Sequence, residues 1–186
     1  ATGARILALG PGSDVIVFGL TLELDSARIT ADNSILINAL LVGSDSADST
    51  IDVQGAVLRS KTNDVTVEAK GDINADAARM FAVNLVGLFS QYDAISAAGA
   101  IIRATSPRTG KITANASGRL TLTNARLKAD HIEGSSSGAE IEATDAVFAK
   151  FGDPSTLYLN ARNDIFLAGS VRQHSVQGIV SYRGTV

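Results

Sequence analysis

The sequence predicts an all-β fold: a parallel β-helix, or β-solenoid, of about seven rungs with roughly 22–25 residues each. Two observations lead there. One short apolar frame recurs along most of the chain, and the residues available for an interior are small or β-branched.

The frame is clearest in Leu22-Glu-Leu-Asp-Ser-Ala-Arg-Ile-Thr-Ala-Asp32, which returns as Leu120-Thr-Leu-Thr-Asn-Ala-Arg-Leu-Lys-Ala-Asp130 and as Ile73-Asn-Ala-Asp-Ala-Ala-Arg-Met-Phe-Ala-Val83. What these copies share is apolar, any, apolar, any, any, Ala, any, apolar. Further copies begin at Ile51, Ile95 and Ile141, and a decayed one at Ile165. The seven starts span residues 22 to 165, a mean step of (165 − 22)/6, about 24 residues, within the range of solenoid repeats. Apolar residues at the first and third positions place two side chains on one face of a strand. The two-residue gap before Ala then shifts the register by one, as a bend or bulge does where a strand rounds a corner. Small or polar residues fill that gap, as in Asp25-Ser26, Gln54-Gly55, Ala98-Gly99, Thr123-Asn124 and Thr144-Asp145. This register turns Ala56, Ala100 and Ala146 inward and Gln54, Ala98 and Thr144 outward.

Second strands follow within most rungs, at Ser34-Ile35-Leu36-Ile37, Val65-Thr66-Val67, Lys111-Ile112-Thr113 and Leu157-Tyr158-Leu159. Ser, Asn, Asp and Gly separate them, as turn chemistry requires. Of the prolines Pro11, Pro107 and Pro154, the last two fall between strands. Ala77 to Gly99 is the least regular stretch; its apolar run Met80 to Phe89 reads as core filling, with a short helix or a lateral contact surface as the alternatives. A second-order alternation is also present. Arg follows the frame's Ala in the copies at 22, 73 and 120, and an apolar residue follows it in those at 51, 95 and 141. The unit is therefore one motif per rung or a pair of motifs of about 47 residues. As one domain over 1–186, the chain divides into an N-terminal edge strand or lead-in segment (1–20), repeats (21–176) and a C-terminal strand (177–186).

Composition supports this interior and narrows the function. Hydrophobic residues reach 45% while aromatics are 5% and Trp is absent, so the core is built from Ala, Val, Ile and Leu and suits thin, identical layers. Formal net charge is −3, and Lys and Arg are scattered along the chain. No nucleic-acid footprint or electrostatic membrane anchor is expected. No apolar run reaches the ~20 residues of a spanning helix. Cys is absent, which removes disulfides, thiolate metal sites and a thiol nucleophile and fits an exported repeat protein. The chain starts at Ala1 without Met, which reads as processing or excision from a longer product.

The segments Gly118-Arg-Leu-Thr-Leu-Thr-Asn-Ala-Arg-Leu-Lys-Ala-Asp-His-Ile132, Asn63-Asp-Val-Thr-Val-Glu-Ala-Lys-Gly-Asp-Ile73 and Leu157-Tyr-Leu-Asn-Ala-Arg-Asn-Asp-Ile165 resemble the repeats of filamentous-haemagglutinin-like secreted proteins. The resemblance is one of repeat style and covers most of residues 14 to 170. It implies a right-handed parallel β-helix exported to the bacterial surface, acting in adhesion or as a structural fibre. It assigns no functional residues.

No cluster in the sequence predicts catalysis, a cofactor or a metal. His131 and His174 read as solvent-exposed loop histidines. Asp32 and Asp130 occupy equivalent repeat positions, as do Asp72 and Asp164. Positions fixed by a repeat read as turn formers rather than as the paired acids of a glycosidase. Ser44-Asp45-Ser46-Ala47-Asp48 and Gly152-Asp153 offer oxygen ligands without a calcium-loop pattern. Thr21, Thr66, Thr113, Thr121 and Thr123 do not align into an ice-binding array. The expected function is an extracellular or cell-surface structural or adhesive rod, not an enzyme, that self-associates end to end through its strand edges and meets a cell-surface or polysaccharide ligand. The alternative is a β-helix protein that binds or cleaves carbohydrate.

Overall fold

The computed structural model describes residues 3–40, 49–151, 155–172 and 175–186. The chain winds as a β-solenoid of about seven turns, with three parallel sheets running the length of the stack and no helix among the described residues. The first sheet holds eight strands: Arg5–Ala8, Arg28–Ala31, Val57–Ser60, Arg79–Ala82, Ile101–Ala104, Arg126–Lys128, Val147–Ala149 and Val171–Arg172. The second also holds eight: Val15–Phe18, Ile35–Ala39, Val65–Ala69, Leu85–Ser90, Lys111–Ala116, His131–Ser136, Thr156–Ala161 and Ser175–Ser181. The third has seven two-residue strands, Leu22–Glu23, Ile51–Asp52, Ile73–Asn74, Ile95–Ser96, Leu120–Thr121, Ile141–Glu142 and Ile165–Phe166. Residues ahead of the first motif copy already supply strands to two sheets.

Each rung begins on the third sheet, turns a corner onto the first, and passes to the second. The frame of the sequence maps onto this path. Ile51 and Val53 point inward from the third sheet, Ala56 at the corner, and Leu58 from the first sheet, all at most 1% exposed. The same holds for Ile95, Ala97, Ala100 and Ile102. Gln54 is exposed, and Ala98 and Thr144 are partly exposed. The inward and outward assignments are those the frame predicts.

The corner is a β-turn, not a bulge. The amide of its last residue bonds back three residues, as in Ala27 to Leu24 (3.0 Å), Ala56 to Val53 (3.0 Å) and Ala125 to Leu122 (3.0 Å). The residue before that Ala, or before Ser170 in the last copy, has positive φ: Ser26 (55°), Gly55 (63°), Ala77 (54°), Gly99 (65°), Asn124 (58°), Asp145 (55°) and Gly169 (68°). A type II turn requires this at its third residue. The conformation also aims that residue's N–H along the stack. Ser26 donates to the Gln54 carbonyl, Gly55 to Asp76 and Gly99 to Thr123, each at 2.8 Å. The backbone ladder thus continues around the corner with its polar groups paired.

Register settles the repeat unit. Arg28 pairs with Val57, Val57 with Arg79, Arg79 with Ile101 and Ile101 with Arg126. Each motif copy therefore lies on the next, one motif per rung. The two-rung alternation survives as chemistry laid over that geometry. It recurs at the inner end of the second sheet, where Ala69, Ser90, Ala116, Ser136, Ala161 and Ser181 stack in order. The buried serines close turns. Ser90 Oγ donates to the Gly71 carbonyl (2.8 Å) and accepts from the Asp93 amide (3.1 Å), and Ser136 does the same with Gly118 (2.6 Å) and Ala139 (3.2 Å).

Met80 to Phe89 forms no helix. It contributes Arg79–Ala82 and Leu85–Ser90, and its alternation buries Met80, Ala82, Val86 and Leu88 while Phe81, Leu85 and Phe89 face outward. The interior compensates for volume from rung to rung. Beside Gly134, an added Cβ would lie 2.9 Å from Leu159 and 3.2 Å from Leu120, so those leucines already fill the space. No helix of the described residues is long and apolar enough to cross a membrane.

A basic sheet face as the candidate functional site

The inner columns are constrained by packing, so distinctive chemistry must lie on the outward columns. The first sheet has two. One runs Arg5, Arg28, Val57, Arg79, Ile101, Arg126, Val147. The other runs Leu7, Thr30, Arg59, Phe81, Arg103, Lys128, Ala149. Where the first column lacks a cation at Val57 and Ile101, the second supplies Arg59 and Arg103. Six successive rungs therefore each present a cation, alternating between the columns from Arg28 onward, with neighbouring strands ~4.8 Å apart. Arg5, Arg28, Arg59, Arg79, Arg103 and Arg126 are exposed and Lys128 is partly so.

No strand of this sheet contains Asp or Glu. Among the described residues ion pairs form at Lys61–Asp32 (3.8 Å), at the edge of this face, Lys111–Glu133 (2.7 Å) and Arg119–Glu140, and none of these involves a cation of the two columns. Lys128 sits over the Phe151 ring, 4.3 Å from its centre. A chain of net charge −3 thus concentrates seven cations, the six arginines and Lys128, on one sheet face. With strands ~4.8 Å apart, like charges on adjacent rungs are close enough to be only partly screened at physiological salt. Half-buried Val57, Phe81 and Ile101 lie between the guanidinium groups.

This overturns the expectation that Lys and Arg are merely scattered. They are scattered in sequence, and the rung length gathers them in space. The signal was present: the frame's seventh position is Arg in the copies at 22, 73 and 120, and its ninth is Arg in those at 51 and 95. Only the first half of that pattern stands out by eye.

The acidic positions behave as turn formers. Asp130 is 1% exposed and receives the amides of Arg108 and, at 3.2 Å, Phe151. Asp32 receives the Gly12 amide (2.9 Å), Asp72 that of Ala94 (3.1 Å) and Asp164 that of Thr185 (2.5 Å). Asp32 and Asp130 lie four rungs apart, as do Asp72 and Asp164, roughly 19 Å by strand spacing. That is beyond the ~5–9.5 Å over which two carboxylates share one glycosidic bond.

His131 is not a loop residue. It opens the strand His131–Ser136 and is half-buried. Its Nε2 lies 3.1 Å from the Arg108 carbonyl, to which it donates, and its Nδ1 lies 2.9 Å from Thr156 Oγ1. Both ring nitrogens are engaged. Thr66 and Thr113 share an outward column but Gly87 separates them, while Thr121 lies on the third sheet and Thr123 in its turn. His174, Ser44 to Asp48, Gly152 and Asp153 lie outside the described residues. Among the described residues no group of three or more His, Asp or Glu side chains is placed to hold a metal ion. Comparison of the chain with protein-family models, curated proteins and solved structures yields no match.

Proposed function

We propose that the chain is a structural and adhesive segment of an extracellular or cell-surface rod, lengthened by strand addition at its ends. The observation that carries this is the pairing scheme. Every strand of the three sheets bonds only to its counterparts in the rungs above and below, so the same pairing extends the stack in either direction. Among the described residues Arg5–Ala8 and Val15–Phe18 are the edge strands of their sheets at one end of the stack, the place where a further rung would pair. Around them lie exposed Leu7, Leu9, Ile16, Phe18 and Leu20. At the other end Phe166, Val180, Tyr182 and Val186 are exposed. The absence of Cys and the repeat style support an exterior location.

Light scattering and electron microscopy across a wide concentration range test the reading. End-to-end assemblies that lengthen with concentration are expected. A Val17→Lys variant should suppress them, because its charge would be enclosed only when another rung covers it. Particles that remain monomeric throughout would remove the self-assembling subunit.

A further inference from the structure

We propose that the basic face of the first sheet binds a linear acidic polysaccharide, one bearing a carboxylate or sulfate on each successive sugar, laid along the stack axis. This goes beyond the rod reading and does not depend on whether the rod extends.

Three features of the face select that class. The first is periodicity. From Arg5 to Lys128 each rung supplies a cation, so positive charge recurs at the ~4.8 Å strand spacing, close to the advance per sugar of an extended chain. The second is the zigzag. Arg28, Arg59, Arg79, Arg103 and Arg126 alternate between the two outward columns, so they flank a central track and meet anionic groups that project to alternate sides. Arg suits this better than Lys, because its planar fork grips a carboxylate or sulfate with two parallel bonds. The third is the apolar floor. Val57, Phe81 and Ile101 are half-buried between the cations, offering C–H contact to sugar rings.

The same features argue against other polyanions. Single-stranded nucleic acid is held by a series of aromatic platforms, whereas the two columns from Arg5 to Ala149 carry Phe81 alone, with the Phe151 ring beside Lys128 the one other aromatic among the described residues placed against a cation of the face. A lipid surface calls for large apolar side chains projecting beyond the basic ones. Here those between the arginines are recessed, and the exposed ones, Leu7 and the Phe151 that lies against Lys128, sit toward opposite ends of the face.

The test measures binding of the full chain to polygalacturonate by fluorescence anisotropy. Neutral dextran, a thymidine oligonucleotide and anionic phospholipid vesicles run as parallel probes. Polygalacturonate should bind with an affinity that falls as salt rises, and dextran should not bind. The double variant Arg59→Gln/Arg103→Gln should weaken binding about tenfold or more. Lys111→Gln/Arg119→Gln, which removes two cations from elsewhere on the surface, should leave it unchanged. Arg59, Arg103 and Arg119 are exposed and Lys111 is partly so, and circular dichroism establishes that each variant is folded. The proposal is overturned by absence of polygalacturonate binding, by equal binding to dextran, by tighter binding to the oligonucleotide or the vesicles, or by equal losses in the two double variants.

Discussion

The first and second sheets enclose one interior and turn opposite exteriors to solvent. On the second, outward side chains satisfy one another. Lys111 pairs with Glu133 at 2.7 Å, Asn38 donates to Glu68 at 3.2 Å and Ser135 donates to Asn115 at 2.8 Å. On the first, every rung from Arg5 to Lys128 presents a cation and no strand carries a carboxylate. Both sheets meet the same inner requirement of stacked aliphatic side chains, so the contrast owes nothing to folding. A face organised for its own stability would intersperse opposite charges. The first sheet tolerates repulsion between its rungs, and an anionic partner is what would relieve it.

Four measurements separate what the sheets share from what they do not. The shared interior comes first. Ala100→Leu should overpack the corner and lower stability by about 1–3 kcal/mol in urea unfolding, whereas Ala98→Leu, two residues away, should stay within about 0.5 kcal/mol. The opposite ranking would invert every inward assignment on both sheets. Next is the turn joining the two sheets. Asp130→Ala strands the Arg108 and Phe151 amides and should cost about 1–3 kcal/mol, with Asp72→Ala, at an exposed turn, costing less in the same assay.

The corner turns give a smaller effect with a predictable sign. Ala77 holds φ of 54° where Gly99 holds 65°. Ala77→Gly should therefore raise the thermal midpoint, by relief worth up to about 1 kcal/mol, and Gly99→Ala should lower it by a similar amount. Smallest, and closest to the contrast itself, are the exposed charges. Lys111→Gln should lose a few tenths of a kcal/mol, while Arg59→Gln should be neutral or slightly stabilising. Added salt should shrink both differences. Equal losses at Lys111 and Arg59 would mean the two exteriors do not differ energetically.

Much of the fold was legible because the frame encodes it directly. Ile51, Val53, Ala56 and Leu58 announce two inward faces and the corner between them, and Val65-Thr-Val67 announces the second sheet. The turn type was less legible, since Ser26, Ala77, Asn124 and Asp145 occupy a positive-φ position that Gly would have advertised. Their conformation is imposed by rung-to-rung bonds of their own amides, and a single rung does not reveal those. The stretch from Met80 to Phe89 misleads because large apolar side chains lie on both faces of its strands. The basic face was least legible. Arg59 and Arg79 are twenty residues apart in sequence and one strand apart in space, and neighbourhood of that kind exists only once the rung length at that point is known. His131 escaped for a related reason, because Arg108 and Thr156, which hold its ring, come from the rungs on either side.

The rungs are not equal in length. Eleven residues separate Ala39 from Ile51, but three separate Ala69 from Ile73, while Leu22 still faces Ile51 and Ile51 still faces Ile73. Apart from one extra residue in Ser175–Ser181, where the register shifts opposite Leu157 and Tyr158, variation in length falls in the passages between sheets. For inheritance this sorts mutations sharply. A residue gained between sheets changes a loop and nothing else. A residue lost inside a strand turns the remainder of that strand inside out. A duplication that begins and ends at equivalent corner positions adds an intact rung, so a gene of this kind grows by whole turns.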